Sequence, residues 1–165
     1  MNIWLVNHYA IPPDRAGGTR HHNLGKQLVA LGHDVSIVAC AFDHMQRSDD
    51  EGRPPTELID GVRFRWVKAP GYSGNTLARF FNMVVFALRV WSGRSTRDLP
   101  EPDVVIGSSP HLFGADAAAR LAKRRRVPFV LEIRDLWPLT LVDVGGFSTR
   151  HPAVVLMSWL ERRLY

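Results

Sequence analysis

Three segments of this sequence hold residues whose types and spacing could do chemistry. The first is Ala16-Gly17-Gly18-Thr19-Arg20, where two glycines stand directly before a stretch with helical periodicity. Glycines let a ligand approach the backbone closely, and the helix start behind them offers free N–H groups and the positive end of its dipole. A phosphate or a sugar hydroxyl is favoured there, and Arg20 adds a bidentate anion donor. A plain loop leading into a helix would use the same residues. The segment fits neither Gly-x-Gly-x-x-Gly nor a Walker loop, which disfavours a dinucleotide or ATP site.

The second segment is Glu132-Ile133-Arg134-Asp135-Leu136-Trp137-Pro138. Charged residues closing an apolar strand are costly to bury unless paired. Arg134 and Asp135 are therefore candidates for substrate contact, or for an ion pair capping the sheet edge. Trp137-Pro138 could stack on a sugar ring or anchor the core. The third segment, Ser108-Ser109-Pro110-His111, lacks the Gly-x-Ser-x-Gly pattern of a nucleophile elbow. Ser109 is expected to cap the following helix. His8, His21, His22 and His111 have no zinc-like spacing and no cysteine partners, so no metal is expected.

These segments need elements to position them. Apolar strands are expected at 3–7, 34–41, 103–107 and 128–134, with a short hairpin of 57–59 and 62–67 around Asp60-Gly61. Helices are expected from Thr19 to Gly32 with Leu24, Leu28 and Leu31 on one face, at 75–92, at 111–125, and from Pro152, a residue favoured at a first helical position. Residues 42–56 read as a long exposed loop, and 145–151 as another. Strands alternating with helices specify an α/β fold: a Rossmann-like, doubly wound, mostly parallel sheet with helices on both faces. In such sheets ligands bind beyond the carboxyl ends of the strands. That rule selects 7–18, 42–44, 107–111 and 134–138.

Composition sets bounds. The 165 residues are 45% hydrophobic and 22% charged, which suits one packed domain. The net charge is +5, and 18 of the 21 basic residues are arginine. This balance fits an anionic partner or simply an arginine-rich genome. The lone Cys40 excludes an internal disulfide and suits a reducing cytoplasm. Neither a signal peptide nor a membrane-spanning run is legible. The helix at 75–92 is apolar around nearly its whole circumference, with Arg79, Arg89, Arg94 and Arg97 along and beyond it. It could insert partly at an anionic membrane surface or pack against a further domain. Arg120 and Lys123-Arg124-Arg125-Arg126 form a second basic cluster, suited to lipid phosphates or to the helix dipole.

Trp4-Leu5-Val6-Asn7-His8-Tyr9, Pro12-Pro13, Gly17-Gly18-Thr19-Arg20-His21, Leu31-Gly32-His33-Asp34-Val35 and Val130-Leu131 running on through Pro138 occur in a familiar order. Together they resemble the N-terminal domain of family 4 glycosyltransferases with the GT-B fold. The most similar branch builds bacterial surface polysaccharides and includes N-acetylfucosamine transferases. The resemblance covers nearly all 165 residues. It implies a two-domain enzyme using a nucleoside-diphosphate sugar, retaining configuration and needing no metal or other cofactor. The N-terminal domain would bind the acceptor, and a C-terminal domain most of the donor. Gly17 and Gly18 would lie near the donor phosphates. Many relatives have His-Asp where this chain has Arg134-Asp135, so Arg134 would replace a histidine that contacts the transferred sugar.

The expectation is thus that 1–165 is the acceptor-side domain, cut inside its last helix before the donor-binding domain and inactive alone. Asp135 and Arg134 are the candidate catalytic residues. Gly17, Gly18, Arg20, His8, Tyr9 and His111 are the candidate substrate-binding residues. The expected partners are a nucleotide-sugar donor, a lipid-linked oligosaccharide acceptor and an anionic membrane surface, with no nucleic acid. The expected location is cytoplasmic, peripheral at the inner face of the membrane. Alternatives are a nucleotide-sugar epimerase of the same fold, a non-catalytic nucleotide-binding module, and an oxidoreductase with Asp43 on the ribose.

Overall fold

The computed structural model describes residues 1–15, 17–43, 48–49, 54–74 and 77–165, with the backbone alone at 43, 48 and 49. Ala16, His44 and Asn75, and the side chain of Asp43, lie outside the described residues. Six strands form one sheet: β1 (Asn2–Val6), β2 (Asp34–Cys40), β5 (Thr56–Ile59), β6 (Val62–Val67), β7 (Val104–Ser108) and β8 (Phe129–Glu132). Their order is β5-β6-β2-β1-β7-β8. Every pairing is parallel except that of β5 with β6. Two-residue strands β3 (Phe42–Asp43) and β4 (Ser48–Asp49) pair separately. They break the loop expected at 42–56, and Phe42 is buried in the core.

The expected doubly wound sheet is present. Helix α1 (Arg20–Ala30) covers one face, while α2 (Leu77–Ser92) and α3 (Leu112–Arg125) cover the other. The core accordingly divides in two. Ile3, Leu5, Val35, Ile37, Val62, Phe64 and Trp66 pack on the α1 side. Trp4, Val6, Val38, Phe86, Val90, Val105 and Leu121 pack on the α2–α3 side. Alternation along β6 follows the sequence pattern: Val62, Phe64 and Trp66 are buried, whereas Arg63 and Arg65 are half-buried. The hairpin turns at Asp60 and Gly61, with φ of 50° and 80°. This is the left-handed pair that a two-residue connection requires.

The inward face of α1 differs in part from the expected leucine face: Leu28 packs against the core, but the other two leucines do not. His21, His22 and Gly25 are buried, while Leu31 is 73% exposed and Leu24 37%. Gly25 explains the rotation. A Cβ there would sit 3.1–3.3 Å from methyl groups of Val62 and Val35, so the helix backbone lies almost on the sheet. A leucine side chain facing the same way would hold it off.

Helix α2 buries Asn82, Phe86 and Val90, one row at four-residue spacing. Leu77, Phe80, Phe81, Leu88 and Trp91 remain exposed. Among the described residues no helix is long and apolar enough to cross a membrane. Two further helices follow β8: the short α4 (Leu139–Asp143), which the sequence pattern does not signal, and α5 (Pro152–Leu164), which starts on Pro152 as expected. The His151 imidazole caps α5 by accepting the Ala153 N–H. The basic cluster at the end of α3 is largely engaged within the fold. Arg120 pairs with Asp116 and Arg125 with Glu101, and Arg124 donates to the Trp91 carbonyl.

Candidate functional site

The carboxyl ends of β1, β7 and β8 meet in a buried polar network. The Asn7 amide nitrogen lies 3.3 Å from His21 Nδ1 and donates to Ser108 Oγ at 3.2 Å, while Asn7 Oδ1 accepts the Tyr9 N–H at 2.8 Å. His21 Nε2 is 2.8 Å from Glu132 Oε2. An imidazole with its proton on Nε2, donating to Glu132 and accepting from Asn7 at Nδ1, satisfies both contacts. Arg20 closes the chain, with Nε 2.9 Å and its outer nitrogen 2.8 Å from Glu132 Oε1.

Burial lowers the His21 pKa more than the bond and charge of Glu132 raise it, which keeps the ring neutral. For Glu132 burial acts upward, but hydrogen bonds from Ser108, Arg20 and His21 overcome it and hold the carboxyl at about 2. Arg20 therefore serves Glu132, and its guanidinium is directed to the carboxylate rather than into the neighbouring cavity.

That cavity has a volume of about 370 Å³ and lies at the same rim. Tyr9, Ile11, Gly17, Gly18, Arg79, Pro110, Arg134 and Asp135 line it. The glycine loop after β1 and the Arg134-Asp135 segment after β8 thus face each other across one space. Gly17 has a φ of +141°, and a Cβ there would come within 2.6 Å of the Ile11 side chain. A Cβ on Gly18 would meet nothing within 4 Å. Position 17 therefore needs glycine for the fold, whereas position 18 leaves room beside the backbone. Ser109 does not cap α3, whose N-cap is His111. Its hydroxyl instead accepts the backbone N–H groups of Arg134 at 2.7 Å and Asp135 at 3.2 Å, binding the second segment to the end of β7.

The expected pocket wall of His8, Tyr9 and His111 is only partly realised. Tyr9 lines the cavity, but His8 and His111 are 3% and 1% exposed and form the layer behind it. Their rings meet at a tilt of 60° with centroids 4.8 Å apart, next to Phe86. His8 Nε2 donates to Asn82 Oδ1 at 2.6 Å, and the Asn82 amide donates to the Pro70 carbonyl at 2.7 Å. Burial, with the charges of His8 and Arg79, holds the His111 pKa well below its usual value. Both rings therefore support Tyr9 and the start of α2. Trp137 is half-buried and outside the cavity wall.

Arg79 is the wall residue that sequence reasoning did not place in the site. It is embedded in the apolar run of α2, where its periodicity marks it as a flanking cation. The fold turns it to the rim, where it donates to the Tyr9 hydroxyl at 3.1 Å and lies 5.8 Å from the ring centroid. Glu132 and His21 both stand in segments that the sequence singles out, but their pairing is not legible there because it joins residues 111 positions apart.

No curated protein matches the chain. Among solved structures, a sucrose-phosphate synthase from Thermosynechococcus elongatus superposes with a TM-score of 0.68 at 14% identity, over 99% of this chain and 39% of that one. The chain thus spans well under half the length of that synthase. The C-terminal domain of a hydrogenase from Pyrococcus furiosus superposes at 0.50 with 16% identity, over 79% of this chain and 89% of that one. At these identities the likeness is one of fold: an α/β, Rossmann-like half of the GT-B type for the synthase. The family description "Glycosyl transferase 4-like domain" matches residues 16–165, and the chain belongs to that family.

Proposed function

We propose that this chain is the acceptor-side domain of a retaining enzyme that moves a sugar from a nucleoside-diphosphate sugar to a lipid-linked or saccharide acceptor in bacterial surface polysaccharide synthesis. One observation carries the reading: the Gly17-Gly18 loop and the Arg134-Asp135 segment share a single cavity at the carboxyl rim of the sheet. Two arginines, Arg79 and Arg134, line it together with Asp135. A bare backbone beside cations suits phosphate, and a carboxylate with a phenol suits sugar hydroxyls. In front-face transfer the leaving phosphate takes the acceptor proton, and the protein chiefly positions groups and stabilises charge. Asp135 and Arg134 then hold the reacting sugars, Gly17 and Gly18 admit the diphosphate, and Tyr9 bounds the acceptor.

The proposal includes metal-independent transfer by a two-domain enzyme, peripheral at the cytoplasmic face of the membrane. The exposed apolar side of α2 supports membrane contact. The test is a screen of the longest natural chain carrying these 165 residues against nucleoside-diphosphate sugars in EDTA, reading release of the nucleoside diphosphate. Release with a sugar-bearing acceptor and retention of the anomeric configuration are expected. Interconversion of the nucleotide-sugar without any acceptor would overturn the reading in favour of epimerisation.

A further inference from the structure

We infer that two hollows around the end of α2 form a second anion site, which takes a soluble ligand carrying several linked phosphate groups. The site shares no lining residue with the rim cavity, and it stands independently of the sugar-transfer reading. One hollow, of about 620 Å³, lies between α2 and β6, and its cations are Arg65, Lys68, Arg89 and Arg94. The other, of about 410 Å³, lies between the ends of α2 and α3 and adds Arg97, Arg124 and Arg125. Ser92 and Arg94 belong to both walls, so the two hollows are one trough bent round the end of the helix. Among the described residues no carboxylate lines either hollow.

These cations are oriented without being neutralised. Arg89 donates to the Lys68 carbonyl at 2.6 Å, and Arg124 donates to the Trp91 carbonyl. Arg65 is largely buried and donates to the Ser95 carbonyl at 2.5 Å and the Thr56 hydroxyl at 2.9 Å. Such acceptors fix a guanidinium but leave its charge unanswered. Among the described residues two carboxylates pair with the group, Asp98 at 3.4 Å from Arg65 and Glu101 with Arg125. They are 65% and 75% exposed, and ion pairs of that kind are weak. Nor does the end of α2 need the remaining charge. The Arg89 carbonyl already accepts the Ser92 and Ser95 hydroxyls, and the Trp91 carbonyl accepts Arg124. Lys68 and Arg94 are thus left over. Six of the seven cations are arginines, whose planar forks match phosphate oxygens. A single phosphate cannot meet the cations on both sides of Arg94, whereas groups linked in series can. A planar lipid surface touches only the outside of such a bend, whereas a short flexible chain follows it.

Tripolyphosphate and orthophosphate are the probes, titrated calorimetrically into the 165-residue chain at physiological ionic strength, where long-range attraction to its net charge is screened. Tripolyphosphate is expected to bind at least about tenfold more tightly than orthophosphate. R94A, at the wall common to both hollows, should weaken tripolyphosphate by about tenfold or more, and K68A should weaken it less. Both side chains are exposed, so the melting temperature should not move. R150A removes the same charge outside the trough and should bind like the parent chain. Vesicles of phosphatidylglycerol, whose phosphates stand singly, should not displace bound tripolyphosphate. Equal losses in R94A and R150A would reduce the effect to net charge and overturn the inference. A loss in R134A with none in R94A would put the phosphates in the rim cavity, and displacement by the vesicles would give the arginines to a lipid surface. Either result also overturns it.

Discussion

The Ser109 hydroxyl accepts the backbone N–H of Arg134 at 2.7 Å, so the loop after β8 is held by the loop after β7. S109A removes this acceptor from two neighbouring amides. Because Arg134 and Asp135 are exposed, water replaces most of the loss, and the stability cost should be about 1 kcal/mol. The greater effect falls on placement of the two side chains. Nucleoside-diphosphate release by the intact enzyme should drop in kcat more than the melting temperature suggests. S109T, which keeps the hydroxyl, should restore it.

Acid should destabilise the fold in two stages. The folded-state pKa of His21 is lowered, so the unfolded chain takes up that proton first as pH falls below the usual histidine range. Glu132 is lowered from 4.5 to about 2, so its contribution is complete above 4.5 and disappears as pH falls from 4.5 towards 2. Urea unfolding at stepped pH should show the stability falling through both windows. E132Q should flatten the lower one, at a cost of about 2–3 kcal/mol at neutral pH through the loss of charge-assisted bonds.

The adjacent glycines should respond differently. G17A forces a side chain into a left-handed backbone and against Ile11, and should cost about 1–3 kcal/mol in thermal or urea unfolding. G18A meets open space and should leave stability within about 0.5 kcal/mol. Its methyl group instead narrows the cavity, so weaker nucleotide-sugar binding with an intact fold is expected in calorimetry. Equal behaviour of the two variants would remove position 18 from the ligand's path.

Close approach of α1 to the sheet makes G25L a test of the core. The added side chain must displace Val62 or Val35, or lift the helix and with it His21. A loss of about 1–3 kcal/mol is expected from overpacking. Hydrogen exchange should rise in β6 and at the Asn7–His21 contact together. F64A, which empties a fully buried position in the same layer, should cost about 3–5 kcal/mol without moving the rim.

The sheet was legible because buried parallel strands are continuous apolar runs, and the Asp60-Gly61 turn states its own geometry. The Gly17-Gly18 loop and Arg134-Asp135 could be found by the rule that ligands gather at the carboxyl rim. The inward face of α1 was misjudged because leucine spacing carries no information about how near the backbone lies, which Gly25 decides. Ser109 looked like a cap because serine before a helix usually is one, yet two amides from a distant loop take its oxygen. Arg79 and Asn82 were hidden by the apolarity of α2. A helix wetted on one side and pinned to polar loops on another has no clean period.

Among the described residues, the rim cavity draws its walls from stretches around Tyr9, Ile11, Gly17 and Gly18, Arg79, Pro110, and Arg134 and Asp135, all of them outside the strands of the sheet. The stretches are tied to one another, Arg79 to the Tyr9 hydroxyl and the backbone of Arg134 and Asp135 to Ser109, so a change in one is felt in its neighbour. Exchanging a single loop between homologues should therefore disturb the rim unless its bonded partner is exchanged with it. Paired exchange of coupled loops is then the unit by which such a rim can change while the sheet beneath it stays the same.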